Sequence, residues 1–226
     1  MSRALRALSS AYVERRRKLA EGAALAGAGK RAAFALFYGP IHYLLVREIV
    51  RTLSASSLDA STIVDLGCGT GAAGAAWASV IHTQRQLIGI DRHPWAVAEA
   101  AWSYRQFGLT ARVERGDVAV AGLPRRPASM VAAFTINEVR EDSARDSLLR
   151  RFVDRAGRGD RILVIEPLAG FVAPWWARWR EAFMTAGGRA DEWRFRIELP
   201  AIVAKLDRAA GLDHRELTAR SLWLGS

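Results

Sequence analysis

The sequence predicts a doubly wound α/β fold, in which helices cover both faces of a mostly parallel sheet. Two observations support this prediction. From residue 62 onward, short apolar runs alternate with helical stretches, a rhythm typical of parallel sheets. Directly after the first run, DLGCGTG places three glycines at alternate positions, as in a tight strand-to-helix turn where a ligand lies against bare backbone.

The apolar runs predict five strands, at 62–66, 87–90, 111–114, 130–135 and 161–165. The stretches between them predict helices at 72–82, 94–107 and 142–156. Next comes a segment rich in Trp and Arg, and we expect it to be an insertion at about 170–197 after the fifth strand. PAIVAKLDRAAG then predicts a helix, with Pro at its start and Gly after its end. HRELTARSLWLG predicts a last strand.

Residues 1–60 predict a helical cap that precedes a sheet domain at 61–226. Within the cap, we expect Gly39-Pro40 to end one apolar helix before IHYLLVREIVRTL begins the next. No apolar run reaches the length expected of a membrane span. The N-terminus is rich in Arg and Ser, as mitochondrial transit peptides are, but its helical pattern continues through Arg15–Leu19. We therefore expect a cytoplasmic protein.

The chain is strongly basic, with a formal net charge of +10 over 226 residues. Residues 1–60 hold ten basic and four acidic residues. Such an excess favours anionic partners such as RNA, which would bind the basic N-terminal helices. The alternative is a compositional bias, since 30 of the 33 basic residues are arginine. The single cysteine, Cys68, excludes disulfides within the chain and cysteine-rich metal clusters.

Three aspartates stand at the ends of three consecutive predicted strands. Asp91 can accept both hydroxyls of a ribose, and Asp117 can accept a hydrogen bond from an adenine amino group. Asp65 would attract an ammonium group and repel a pyrophosphate. The spacing G-x-G-x-G also differs from the G-x-G-x-x-G of dinucleotide sites, which argues against a dehydrogenase. A single strand-end aspartate more often caps a turn, but three beside a glycine loop favour a ligand.

These stretches resemble the motifs of class I S-adenosylmethionine (SAM) dependent methyltransferases over about residues 60–168. VDLGCGTG is similar to the family's first motif, GIDRHPWAVAEA to its second and RGDV to its third. The resemblance implies a Rossmann-like fold, SAM as cofactor and S-adenosylhomocysteine as product. The cofactor-binding residues that it implies are Tyr38, Asp65, Gly67, Cys68, Gly69, Gly71, Asp91, Arg92, Asp117, Val118 and Thr135.

Four polar residues near the predicted strand ends or the helix break are candidates for catalysis: His42, Asn137, Glu138 and Glu166. A general base is needed only if the acceptor is protonated, and Glu138 or His42 can serve as one. Asn137 can orient an amine through its side-chain oxygen. The alternative is that the acids and Asn137 cap neighbouring turns, and that His42 is structural.

Three tryptophans at helical spacing, Trp175, Trp176 and Trp179, are candidates for substrate binding. They can form a lid over an apolar substrate pocket. With the interleaved arginines they can instead stack on nucleic-acid bases. The third possibility is a helix packed on the sheet, with its tryptophans in the core.

The sequence therefore predicts a SAM-dependent methyltransferase. We favour a small-molecule acceptor, because the chain has no appended RNA-binding module. The alternatives are a ribosomal RNA methyltransferase and a non-catalytic SAM-binding ribosome assembly factor. Both rest on INEV and VIEP, which are similar to the mitochondrial small-ribosomal-subunit methyltransferase-like family and its bacterial relatives. That family's iron–sulfur cysteines are absent from this chain, so no metal site is expected.

Overall fold

The computed structural model describes residues 25, 27–53, 62–81, 86–168 and 173–225. Its sheet has seven strands: β1 Thr62–Leu66, β2 Gln86–Asp91, β3 Ala111–Arg115, β4 Ser129–Ala133, β5 Arg161–Glu166, β6 Arg189–Phe195 and β7 Leu217–Leu224. The spatial order is β3-β2-β1-β4-β5-β7-β6. Strands β1 to β5 are parallel, and β7 is antiparallel to both β5 and β6. The doubly wound, mostly parallel fold is thus confirmed.

Six helices surround this sheet in the described part of the chain: α1 Ala28–Thr52, α2 Ala72–Val80, α3 Pro94–Gln106, α4 Asp142–Ala156, α5 Trp176–Thr185 and α6 Ala201–Ala209. A short 3-10 turn, Ile136–Glu138, follows β4. The start of α3 shows why the boundaries were predictable. Pro94 stands in the first turn, and the His93 side chain accepts a hydrogen bond from the Trp95 backbone N–H.

Helix α1 differs from the prediction, because Gly39-Pro40 does not end it. Residues Phe34–Tyr38 form a π-helical segment that joins the two α-helical parts. Proline lacks an N–H and its ring clashes with the carbonyl of an ordinary preceding α-turn. The wider π-turn just before Pro40 changes this local spacing, so the chain continues as one helix.

By length and composition, α1 is also the one helix among the described residues that is apolar enough to cross a membrane. Its apolar side is partly buried in the protein, where Leu45 and Ile49 belong to the same core cluster as Trp77 of α2 and Trp223 of β7. This packing provides the burial that an amphipathic core helix needs.

The two faces of the sheet carry separate apolar clusters. On β1, Ile63 joins the cluster beneath α1, whereas Val64 joins the opposite cluster beneath α4 and α5. The segment that we expected as an insertion supplies α5 and β6. Strand β6 pairs with β7 from Arg189 to Phe195. This segment is therefore an integral edge of the sheet.

Candidate active site

A cavity of about 390 Å³ runs along the carboxyl ends of four adjacent strands. It is lined by residues 116–119 after β3, 91–93 after β2, 67–70 after β1 and 133–135 around the end of β4. Helix α1 contributes Phe34 and His42 to the lining. Ligands of doubly wound sheets bind at this edge, and the volume lies in the range of small-molecule sites.

The glycine loop is shaped by packing as well as by the cavity. Gly67 and Gly71 both adopt positive φ angles, of 69° and 81°, which favour glycine. A Cβ at Gly67 would lie 2.4 Å from the Thr135 side chain, and one at Gly71 would lie 2.7 Å from the Tyr104 ring. Gly67, Cys68 and Gly69 line the cavity, whereas Gly71 lies outside the lining and begins α2.

Asp65 also lies outside the cavity lining, although we expected it at the cofactor. Its Oδ2 accepts hydrogen bonds from the Gly74 backbone N–H at 2.7 Å and the Tyr104 hydroxyl at 2.8 Å. Burial raises the pKa of Asp65 to about 6, and these two hydrogen bonds oppose that rise. Asp65 therefore ties β1 to α2 and α3, and it acts on the cavity through the shape of the loop.

Asp91 and Asp117 do line the cavity, as does Val118. The Asp91 carboxylate accepts hydrogen bonds from the backbone N–H groups of Gly69, at 3.0 Å, and His93, at 2.8 Å. Each oxygen accepts one of these bonds and keeps a lone pair, so Asp91 can still accept ribose hydroxyls. Asp117 accepts from the Ala119 N–H at 2.9 Å, which fixes its turn beside the cavity.

Glu138 and Arg92 form an ion pair, and both line the cavity. Arg92 Nη2 lies 3.4 Å from Glu138 Oε2, and about a third of the Glu138 side chain, 35%, is exposed. Burial raises the pKa of Glu138 to about 7, an effect that Arg92 opposes and Asp91 reinforces. A carboxyl group that titrates near neutrality suits a general base.

His42, Phe134 and Thr135 form the cavity wall at the end of β4. The His42 and Phe134 rings are stacked with centroids 4.1 Å apart. Burial lowers the pKa of His42 to about 4, so its imidazole is neutral at pH 7. The Thr135 hydroxyl lies 3.1 Å from the Leu66 carbonyl oxygen and joins β4 to the glycine loop. Tyr38 contacts the His42 ring but lies outside the lining.

Asn137 and Glu166 form a hydrogen-bond network away from the cavity lining. Asn137 Nδ2 donates to Glu166 Oε2 at 2.6 Å, and Trp175 Nε1 donates to Asn137 Oδ1 at 2.9 Å. Glu166 is fully buried, and burial raises its pKa to about 8. Because Asn137 lies within the turn Ile136–Glu138, this network supports the backbone that carries Glu138. In this structure Asn137 and Glu166 support the turn, and a direct catalytic contact for either residue stays a prediction.

None of the three tryptophans lines this cavity. Trp179 is fully buried and packs against Phe152 and Phe183. Trp175 contacts Asn137, and the Trp176 ring lies under the Arg220 guanidinium at 4.1 Å. Trp179 thus shows the core packing that we had set beside the lid, Trp175 and Trp176 are half-buried, and a substrate-binding role for the three tryptophans stays a prediction.

The lining also contains Phe34 and Phe134, which the sequence analysis did not single out. Phe134 immediately precedes Thr135 in FTINE, so its position at a strand end was visible, but its φ of 59° was not. The basic stretch Arg15–Lys18, our expected RNA contact, lies outside the described residues. Within those residues, no group of three or more His, Cys, Asp or Glu side chains could hold a metal ion.

Comparison with known proteins agrees with this geometry. Residues 63–157 match the family model described as a methyltransferase domain. This match covers less than half of the chain and shows that residues 63–157 form a methyltransferase domain. The domain's cofactor is accordingly SAM, and its activity is SAM-dependent methyl transfer. A search of curated proteins found no significant match.

Solved structures share the fold at low sequence identity. A Nostoc punctiforme protein provisionally assigned as an O-methyltransferase has a TM-score of 0.59 and 12% identity, covering 97% of this chain and 72% of its own. The N-methyltransferase NodS of Bradyrhizobium japonicum was crystallised with S-adenosylhomocysteine. It has a TM-score of 0.53 and 13% identity, and the match covers 80% of this chain and 86% of NodS. The [4+2]-cyclase SpnF has a TM-score of 0.51 and 18% identity, covering 88% and 84%.

The residues that line the cavity fit this cofactor. Residues 67–70 offer a loop with little side-chain bulk beside the start of a helix. Asp91 and Asp117 supply acceptors at the ends of the next two strands. These carboxylates also give the cavity an acidic character that suits a sulfonium cation.

Proposed function

We propose that the protein methylates a small molecule that binds in the cavity between α1 and the end of β4. The charge of the lining is the observation that carries this proposal. Four carboxyl side chains, Asp91, Asp117, Glu138 and Glu141, line the cavity with two guanidinium groups, Arg92 and Arg140. A cavity with this balance disfavours a polyanion, because nucleic-acid binding depends on neutralising phosphates with cations. The basic excess of the whole chain lies elsewhere.

Glu138 is the residue that we assign as general base. Bound SAM supplies an electrophilic methyl group. Glu138 takes the proton of the acceptor, which leaves a lone pair on the acceptor atom available for the new bond. Arg92 lies opposite Glu138 and favours its ionised form, whereas burial favours the protonated form. The apolar side chains of Phe34 and Phe134 exclude water from this end of the cavity.

The proposal is tested with SAM labelled in its methyl group. The purified protein is incubated with total RNA or with a small-molecule extract of the source cells, and label is measured in each pool. We expect label in the small-molecule pool, and a loss of about 100-fold or more in Glu138→Gln. Glu114→Gln is the matched control, because Glu114 is exposed on β3 outside the cavity lining.

The other outcomes separate the alternatives. Label in RNA alone would reject the small-molecule acceptor and support the RNA methyltransferase. Tight binding of S-adenosylhomocysteine without label in either pool would support an assembly factor or a protein acceptor.

A further inference from the structure

One end of the cavity is built from three rings that we call the aromatic wall: Phe34, His42 and Phe134. The His42 and Phe134 rings stack at 4.1 Å with 22° between their planes. The Phe34 ring meets His42 edge-on, with centroids 6.3 Å apart and planes at 82°. The three side chains thus support one another and present ring surface to the cavity.

The aromatic wall lies at the end of the cavity where the reacting group of the cofactor is expected. The cavity follows the sheet edge from β3 through β2 and β1 to β4, which is three strand spacings, or roughly 14 Å. Asp117, the residue expected at the adenine, is at the β3 end, and Phe134 is at the β4 end. A cofactor laid along this edge leaves its reacting end toward the aromatic wall.

The backbone of Phe134 indicates that this ring is held in place for a reason beyond ordinary packing. Its φ of 59° is sparsely populated by bulky side chains. The strained residue is fixed from two sides, because its N–H donates to the Ile165 carbonyl at 2.8 Å and its ring stacks on His42. Backbone strain of this kind persists when the surrounding structure over-determines it, and it concentrates at ligand sites.

The aromatic wall itself carries no charge, since the half-buried His42 imidazole is neutral at pH 7. A group that can accept a proton is nevertheless available in the same cavity, at Glu138.

Building on the proposed function, we propose that the methyl acceptor is a planar aromatic molecule whose ring packs on the aromatic wall and whose hydroxyl faces Glu138. The hydroxyl loses its proton to a Glu138 carboxylate oxygen. The acceptor oxygen then bonds to the methyl carbon as the carbon–sulfur bond breaks and leaves its electron pair on sulfur. The products are an aryl methyl ether and S-adenosylhomocysteine.

The test measures binding, so it does not depend on knowing the natural acceptor. With the protein saturated by S-adenosylhomocysteine, calorimetry compares 4-methylphenol with 4-methylcyclohexanol, and 2-naphthol with decahydro-2-naphthol. The members of each pair have similar size and the same hydroxyl, and they differ in aromaticity. We expect the aromatic member of at least one pair to bind about threefold to tenfold more tightly, from the strength of aromatic pairs.

Substitutions in the aromatic wall test whether its rings cause the preference for aromatic probes. Phe34→Leu and Phe134→Leu keep apolar bulk and remove a ring, and we expect each to reduce the preference to less than about twofold. Phe107→Leu is the matched control, since Phe107 is half-exposed and lies outside the cavity. A Phe134→Leu protein that unfolds would leave Phe34→Leu to decide, because Phe34 has no strained backbone.

Equal binding within both pairs, or no binding of any probe at millimolar concentration, would overturn the inference. Displacement of the aromatic probe by total RNA would also overturn it, in favour of a nucleic-acid base. Failure of S-adenosylhomocysteine to bind would instead reject the proposed function itself. The two failures are therefore distinguishable.

Discussion

The hydrogen bond between Tyr104 and Asp65 should stabilise the protein in a pH-dependent way. Both side chains are buried, and the Tyr104 hydroxyl donates to Asp65 Oδ2 at 2.8 Å. Tyr104→Phe removes the hydroxyl and keeps the ring that packs against Gly71. At pH 8, where Asp65 is ionised, we expect the variant to lose about 1.5–3 kcal/mol in its free energy of unfolding, the range for hydrogen bonds to charged groups.

The pH dependence follows from the direction of the pKa shift. Burial raises the pKa of Asp65 from 3.8 to about 6, so stability falls as the pH rises through that window. Removing the Tyr104 donor raises this pKa further, and the variant therefore diverges from the wild type above about pH 6. At pH 5 Asp65 is protonated in both folded proteins. The difference in free energy of unfolding between variant and wild type should then shrink to about 0.5–1.5 kcal/mol, the range for a neutral hydrogen bond.

Urea unfolding followed by tryptophan fluorescence at pH 5 and pH 8 measures both values. Tyr43→Phe is the matched control, because phenylalanine keeps the ring contacts of Tyr43 with Phe107 and Arg47. We expect its effect to stay below about 0.5 kcal/mol at both pH values. The same loss for Tyr104→Phe at pH 5 and pH 8 would refute the buried, ionised Asp65 as the partner.

Three further changes test the site and the fold. Asp91→Ala should weaken the binding of S-adenosylhomocysteine at least tenfold (about 1.4 kcal/mol) in calorimetry, because it removes the expected ribose acceptor and leaves two backbone N–H groups unpaired. Unchanged affinity would reject this cofactor position. Glu138→Gln should abolish the rise of kcat/KM with pH around 7 that ionisation of this carboxyl predicts, and persistence of that rise would assign the base to another group. Trp179→Ala should reduce the free energy of unfolding by about 3–5 kcal/mol without a selective change in acceptor KM, and a selective KM change would restore a substrate role for this helix.

The order of strands and helices between residues 62 and 166 was readable from local patterns. Four of the five strands there are apolar runs, and the exposed edge strand β3, ARVER, is the exception. The same reasoning wrongly predicted that Gly39-Pro40 would end a helix. Proline disfavours an ordinary α-helix, but the π-helical segment at Phe34–Tyr38 is set by packing in the core and has no sequence signature.

For the Trp-rich segment, the sequence predicted the helix but not the surface on which it packs. Its periodicity predicted a helix, and α5 is one, but periodicity does not say which surface the apolar side covers. That surface is the sheet and α4, because β6 pairs with β7 and brings α5 over the core.

The sequence by itself determined the fold class and the presence of acids at the strand ends, because these depend on residue types at short spacing, and the resemblance of its motifs to a known family implied the cofactor. The tertiary structure decided what each acid does. Asp65 and Asp91 both stand at strand ends. Asp65 accepts hydrogen bonds from the Gly74 N–H and from Tyr104, which lies 39 residues along the chain, whereas Asp91 lines the cavity. Glu166 similarly accepts a hydrogen bond from Asn137, whereas Glu138 pairs with Arg92 at the cavity. The side-chain partners Tyr104 and Asn137 lie 39 and 29 residues from the carboxylates that they bind, and only folding brings them within hydrogen-bond distance.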